Sequence, residues 1–119
     1  MTTIENLMST NVTAVFNERD DARRRAAIED IYTADASAYA TEGSSSGWDG
    51  VDALVLGLLE NAGDMQFTVS VAPSAVADVG RVTWELAAPG GPPVVRGTDV
   101  AIVRDGKIAK LYTFIEPTG

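Results

Sequence analysis

The spacing of apolar residues changes along the chain, from a helical period to a strand period. In the first half, apolar residues recur every three or four positions, which is typical of helices with one buried side. This spacing predicts helices over about residues 2–16, 20–32 and 50–61, with a short strand near residues 36–41. From Met65 onward, apolar and polar residues alternate, which predicts strands. Helices followed by strands indicate an α+β fold, in which helices cover one face of a curved antiparallel sheet.

The C-terminal part, from Pro93 to Pro117, is predicted to form a long β-hairpin. Asp105-Gly106 stands between two β-rich runs, and this dipeptide tolerates the positive φ angles of a tight turn. One acid, Asp99, lies in the middle of the first strand. Alternation places Asp99 on the side of the strand with smaller residues, which suits a wall that leaves room for a ligand. The other residues of that side are Val95, Gly97, Ala101 and Val103.

The register of this hairpin decides which side chain faces Asp99. A two-residue turn would place Tyr112 opposite Asp99, whereas a bulge would place Leu111 there, since a slip of one residue exchanges the two faces. Only the first pairing gives an Asp–Tyr pair for acid–base chemistry. An ordinary ion pair is the alternative for Asp99, and its candidate partners are Arg81, Arg96 and Lys110.

Other positions allow two interpretations each. Residues 43–47 are small and polar, which predicts a loop or a lid rim, and Trp48 either closes a pocket mouth or anchors that loop. Trp84 and Glu85 are neighbours in a strand, and we expect Trp84 to face inward and Glu85 outward. The basic run of residues 23–25 is predicted to be a solvated helix face.

Composition excludes several classes of site. The 119 residues contain no histidine and no cysteine, so a Ser-His-Asp triad, thiolate chemistry and zinc held by His or Cys are excluded. We predict no metal and no cofactor. The formal charge of −8 argues against nucleic acid and anionic membranes as partners. The absence of cysteine fits a reducing compartment, and the predicted location is cytoplasmic.

Large side chains are spread over most predicted elements and could line a pocket for a small apolar ligand. Most such residues are simply core, but a pocket wall is also core. The candidate ligand-binding residues are Phe16, Tyr32, Tyr39, Trp48, Met65, Phe67, Trp84 and Phe114.

Four stretches carry a resemblance that runs through nearly the whole chain. They are FNERD (16–20), IYTADA (31–36), WDGVDAL (48–54) and RGTDVAIVRDGKIAKLYTF (96–114). In order and spacing the chain resembles the nuclear transport factor 2-like superfamily, in particular its SnoaL-like and ketosteroid-isomerase-like members. The resemblance implies one domain over residues 1–119, a cone-shaped, cystatin-like α+β barrel with an apolar pocket, and a homodimer formed through the outer sheet face.

The resemblance also implies roles for single residues. Asp99 falls at the position where ketosteroid isomerase keeps a protonated aspartate, and it is similar to the acid–base residue of SnoaL-like polyketide cyclases. The proton-abstracting carboxylate of the isomerase falls at Ala40 and its tyrosine near Val12, so standard steroid isomerisation is not expected. We predict a cofactor-independent isomerase or cyclase that uses Asp99, with Tyr112, on an apolar carbonyl-containing ligand. The alternative is a non-catalytic ligand-binding or dimeric interaction domain.

Overall fold

Three helices pack against a six-stranded sheet in the computed structural model, which describes residues 3–41 and 43–117. The helices are α1 (Ile4–Thr10), which continues as a π-helical segment (Asn11–Phe16), α2 (Asp21–Ile31) and α3 (Gly47–Glu60). The strands are β1 (Tyr32–Ala40), β2 (Gly43–Ser46), β3 (Gln66–Val76), β4 (Val79–Ala87), β5 (Pro93–Arg104) and β6 (Lys107–Pro117). Within the described ranges, no helix is both long enough and apolar enough to cross a membrane.

The sheet is curved, open and mixed. Its strand order is β2-β1-β6-β5-β4-β3, and every neighbouring pair is antiparallel except β1 and β6, which are parallel. The predicted fold class, α+β with helices enclosed by a curved sheet, is confirmed. β1 is the second strand from one edge and lies between β2 and the last strand, β6.

The first helix changes its winding halfway. Thr3 caps its start by accepting a hydrogen bond from the Asn6 backbone N–H at 3.1 Å. At Asn11 the α-helix gives way to π-helical turns, a feature often found beside functional sites. Asn17 then ends the helix and fixes it to β3, because its amide group forms hydrogen bonds of 2.7 and 2.8 Å with the Phe67 backbone. The predicted helix had the correct span, with residue 2 outside the described residues.

The second helix buries a charge that the sequence pattern did not predict. Arg24 is only 1% exposed, so the prediction of a solvated basic run is wrong for this residue. Its guanidinium donates to Asp52 of α3 and to Asp21, both at 2.6 Å, and to the backbone carbonyl of Glu18 at 3.1 Å. Because each of the three guanidinium nitrogens donates to one acceptor, and two of these acceptors are carboxylates, the burial of the charge is compensated.

Residues 43–46 form strand β2 rather than the predicted loop. They pair with β1 in an antiparallel ladder, so the peptide groups of this small, polar segment are satisfied by the sheet edge. Helix α3 follows directly and begins at Gly47, three residues earlier than predicted.

The hairpin turn is the predicted one, but the register is not. Asp105 and Gly106 both have positive φ, of 54° and 78°. Beyond the first two residue pairs, β6 carries one extra residue, Ala109, so that Ile102 pairs with Lys110. Asp99 therefore lies opposite Thr113. Both predicted partners, Tyr112 and Leu111, were wrong, because the bulge shifts the strand in the direction that we did not consider.

Candidate functional site

Asp99 faces the interior of the protein, as strand alternation predicts. Its exposed fraction is 0%, and it stands in the centre of the sheet with β4 on one side and β6 on the other. The predicted ion pairs are not formed. Arg96 instead pairs with Glu85, at 3.1 Å, and Arg81 and Lys110 are exposed. Among the residues that the structure describes, none places a cation beside this buried carboxylate.

Three neutral donors satisfy the carboxylate. Oδ1 of Asp99 accepts from the Trp84 indole N–H at 3.1 Å and from the Thr113 hydroxyl at 3.0 Å. Oδ2 accepts from the Asn11 amide at 3.5 Å, and Asn11 Oδ1 in turn accepts from the Tyr32 hydroxyl at 2.6 Å. We call these five residues the Asp99 network. All of them are buried.

Burial dominates the electrostatics of this network. Desolvation raises the pKa of Asp99 to about 6, and the hydrogen bonds from Trp84, Thr113 and Asn11 oppose that rise because they stabilise the ionised form. Burial also raises the pKa of the Tyr32 hydroxyl well above its usual value, with a further contribution from the negative charge of Asp99. Above pH 6, the network thus holds one negative charge beside a neutral tyrosine.

The space beside Asp99 is filled by Trp84. Trp84 pairs with Gly97 across the β4–β5 ladder, and its ring lies directly over that glycine. A Cβ atom at Gly97 would stand 2.1 Å from the Trp84 ring. The ring also packs edge-on against Phe16 and Phe67, with centroid distances of 5.8 and 5.1 Å. Gly97 therefore makes room for an indole from the neighbouring strand, and not directly for a ligand.

A cavity of about 610 Å³ lies on the other side of Trp84 and Thr113. Phe67, Trp84, Leu86 and Thr113 are the buried part of its lining and form its floor. Its mouth includes exposed residues of β2 and of the end of α3, such as Ser44 and Asn61. Asp99 stands behind the floor, and none of the lining residues that the structure describes is acidic or basic.

The candidate site residues fall into three groups. Met65, Phe67 and Trp84 line the cavity. Phe16 and Tyr32 are buried in the core behind it, and Trp48 is anchored by its N–H bond to the Tyr32 carbonyl at 3.0 Å, with Arg25 over its ring. The remaining three, Tyr39, Tyr112 and Phe114, lie on the outer face of the sheet. There Tyr39 stacks on Tyr112, with ring centroids 5.0 Å apart. The expected contact of Asp99 with Tyr112 is not formed.

Two members of the network were missed by the sequence analysis. Asn11 is four residues after Leu7 and four before Val15, so it lies in the middle of the buried helical stripe. A polar residue at such a position needs a buried partner, and this was a usable signal. Thr113 carried no such signal, because its inward direction depends on the bulge at Ala109.

In the described part of the chain, no cluster of three or more acidic residues could hold a metal ion.

Solved structures with the same fold come from several bacteria. A candidate isomerase of the SnoaL-like family from Agrobacterium tumefaciens superposes with a TM-score of 0.84 at 23% identity, over 92% of this chain and 94% of that one. A candidate SnoaL-like polyketide cyclase from Jannaschia sp. superposes with a TM-score of 0.71 at 18% identity, over 98% of this chain and 90% of that one. A Catenulispora acidiphila protein with a ketosteroid-isomerase-like fold, in complex with trimethylamine, has a TM-score of 0.69 at 14% identity, over 94% of this chain and 85% of that one. At these identities the likeness shows the fold.

Family membership rests on a separate comparison of sequences. No curated protein matches the chain. The model of the SnoaL-like domain, however, matches residues 11–111, which include the whole Asp99 network except Thr113. The chain therefore belongs to the SnoaL-like domain family.

Proposed function

We propose that this chain binds a small, mostly apolar molecule in the cavity above Trp84 and Thr113. The observation that carries the proposal is the cavity itself. Its volume of about 610 Å³ lies within the range of roughly 300–1,000 Å³ that is usual for ligand sites. Its floor is held in place by hydrogen bonds to Asp99, so that it does not have to be ordered when a ligand enters.

The lining supports a neutral ligand. Within residues 3–41 and 43–117, its side chains are apolar apart from those of Thr113, Trp84, and serine and asparagine residues near the mouth. An anion placed on this floor would lose its hydration and face the buried carboxylate of Asp99 without gaining a cationic partner. One of the structures with this fold contains a small molecule, trimethylamine, and the names of two others refer to an isomerase and to a polyketide cyclase.

The test is to fill the cavity without disturbing the fold. Gly57 lines the cavity on α3, and a Cβ atom there would meet no heavy atom within 4 Å. Gly57→Phe should therefore block the cavity, while Leu56→Phe, next to it on the helix but outside the lining, is the matched control. Tetralin, 1-tetralol and 1-tetralone serve as neutral probes in calorimetric titrations. Binding that survives in Leu56→Phe and is lost in Gly57→Phe supports the proposal; no binding of any probe to the wild type contradicts it.

Acid–base catalysis through Thr113 is the second candidate function. Thr113 lines the cavity and its hydroxyl donates to Asp99, so Thr113 would connect a bound molecule to the buried carboxylate. In this scheme, a C–H proton next to a ligand carbonyl moves to the Thr113 oxygen while the Thr113 hydrogen moves to Asp99. An enolate and a neutral Asp99 result. Thr113 would then take the place that the sequence analysis gave to Tyr112.

Hydrogen–deuterium exchange tests this second candidate without knowledge of the substrate. The exchange of the α-hydrogens of 2-tetralone in D₂O is followed by NMR, with wild type, Asp99→Asn and the surface control Asp105→Asn. Catalysis by Asp99 requires that the protein accelerate exchange and that only Asp99→Asn lose the acceleration. Equal acceleration by all three proteins, or none by the wild type, removes this candidate.

We also propose that two copies of the chain associate through the outer sheet face. That face carries Phe114, which is 58% exposed, and the stacked pair of Tyr39 and Tyr112. Sedimentation velocity should show a dimer that Phe114→Lys dissociates. Val76→Lys, at the exposed tip of the β3–β4 hairpin, is the control for an added charge. A monomeric wild type would contradict the proposal.

A further inference from the structure

The buried floor of the cavity contains two groups that could donate a hydrogen bond. They are the indole N–H of Trp84 and the hydroxyl of Thr113. Both point at the same atom, Oδ1 of Asp99, at 3.1 and 3.0 Å. Each group has a single hydrogen, so both donors are already used.

The Thr113 hydroxyl nevertheless has a free side. Its oxygen carries lone pairs besides the hydrogen given to Asp99, and these remain to accept a hydrogen bond from the cavity. Asp99 cannot reverse this direction while it is ionised, because a carboxylate only accepts. The buried floor therefore offers a ligand one polar function, which is an acceptor.

We infer that the cavity selects molecules that carry a hydrogen-bond donor, such as a hydroxyl or an N–H group, over the matching ketones. Thr113 is the specificity-determining residue, and Asp99 is the positioning residue that sets the direction of its hydroxyl. The inference rests on the proposed binding function and adds the class of ligand to it. The oxygen of a ligand carbonyl beside Thr113 would meet another acceptor and form no hydrogen bond, whereas the hydroxyl of an alcohol would donate to the Thr113 oxygen.

The mouth of the cavity does not change this preference. Ser44 and Asn61 lie there and are exposed, so water competes for their hydrogen bonds. Thr113 is buried, so a polar ligand group that forms no hydrogen bond there cannot form one with water instead. Discrimination between ligands is therefore expected at the floor.

The three tetralin probes have one carbon skeleton and differ only in the polar group. At pH 8, above the pKa of about 6 of Asp99, 1-tetralol should bind the wild type about five- to tenfold more tightly than 1-tetralone. Thr113→Val keeps the shape and should bring the two affinities together, while Thr113→Ser keeps the hydroxyl and the preference. Asp99→Asn should also keep the preference, because its amide oxygen can occupy the position at which Trp84 and Thr113 point. Asp99→Leu, which frees the Thr113 hydrogen, should lose it.

The ratio of the two affinities separates this inference from the proposal beneath it. If the ketone binds the wild type as tightly as the alcohol, or more tightly, the inference is overturned while the binding function stands. A preference that persists in Thr113→Val overturns the assignment to Thr113. If none of the three probes binds the wild type, the binding proposal and the inference fall together. Should Thr113→Val not fold, the wild-type ratio still tests the preference, and a preference that persists in Asp99→Leu would overturn the assignment to Thr113.

Discussion

Replacing Asp99 by asparagine should change how the stability of the protein depends on pH. The pKa of Asp99 is raised in the folded protein from 3.8 to about 6, mainly by burial. The folded state therefore binds the proton more tightly than the unfolded state does. The resulting contribution to stability is fully present below pH 3.8 and is lost as the pH rises through 6. The sign is opposite to that of a salt-bridged carboxylate, which stabilises at high pH.

The expected size follows from the difference between the two pKa values. A shift from 3.8 to about 6 corresponds to roughly 3 kcal/mol, at 1.36 kcal/mol for each pKa unit. Asparagine does not titrate in this range, so the variant lacks this contribution. The free energy of unfolding of Asp99→Asn, minus that of the wild type, should thus rise by roughly 2 kcal/mol between pH 4 and pH 7.5, because an unfolded aspartate is already more than half ionised at pH 4.

Asparagine can occupy the site with a small rearrangement. Its amide oxygen can accept from Trp84 and Thr113, but its NH₂ group would then face the Asn11 amide, where Asp99 Oδ2 now accepts at 3.5 Å. A half-turn of the Asn11 amide resolves this conflict by presenting its oxygen to Asn at position 99 and its NH₂ to Tyr32. The Tyr32 hydroxyl hydrogen then loses its acceptor, at a cost of about 1–2 kcal/mol that does not depend on pH in this range.

Urea denaturation followed by circular dichroism, repeated from pH 4 to pH 8, measures both proteins. Asp105→Asn is the matched control, because Asp105 is exposed and asparagine accepts its φ of 54° equally well. The control removes the same charge without the burial, and its stability should stay close to that of the wild type. Parallel stability curves for the wild type and Asp99→Asn would refute the reasoning.

Two further substitutions test the packing around the site. Gly97→Ala should lower the free energy of unfolding by about 3 kcal/mol or more, because its Cβ would stand 2.1 Å from the Trp84 ring. Gly57→Ala is the control and should leave that free energy unchanged or raise it by up to about 1 kcal/mol. Equal stabilities of the two variants in denaturation experiments would contradict the close contact. Arg24→Leu should lower the free energy of unfolding by about 1–3 kcal/mol, since Arg24 is 1% exposed and has two acidic partners. Arg23 is 75% exposed, and the stability of Arg23→Leu should stay within about 0.5 kcal/mol of the wild type. Similar losses in both variants would show that the burial of Arg24 has no energetic consequence.

The parts of the fold that depend on local patterns could be predicted from the sequence. Helical spacing, strand alternation and the Asp105-Gly106 turn gave the elements and the α+β class. Alternation also gave the inward direction of Asp99, because within one strand the side of a residue follows from counting by two. Trp84 facing inward with Glu85 outward follows from the same rule.

The contacts between strands could not be predicted in this way. Ala109 shifts the register by one residue, and nothing in its own identity marks a bulge. The choice of Thr113 over Tyr112 as the partner of Asp99 depends on that shift. The indole of Trp84 over Gly97 likewise depends on which residues of two strands lie side by side. The interior environment of Arg24 depends on Asp52, which comes from another helix.

The difference between the two buried charges indicates what Asp99 does. Arg24 is neutralised by carboxylates, as is typical of a structural ion pair, whereas Asp99 is surrounded by neutral donors and lowers stability at neutral pH by about 3 kcal/mol relative to an exposed aspartate. Because an ionised carboxylate only accepts, Trp84, Thr113 and Asn11 must all donate to it, and Asn11 must turn its oxygen to Tyr32. One charge thereby sets the direction of every hydrogen bond in the network, including that of the hydroxyl on the cavity floor. A leucine could fill a similar volume, but it would leave that direction open.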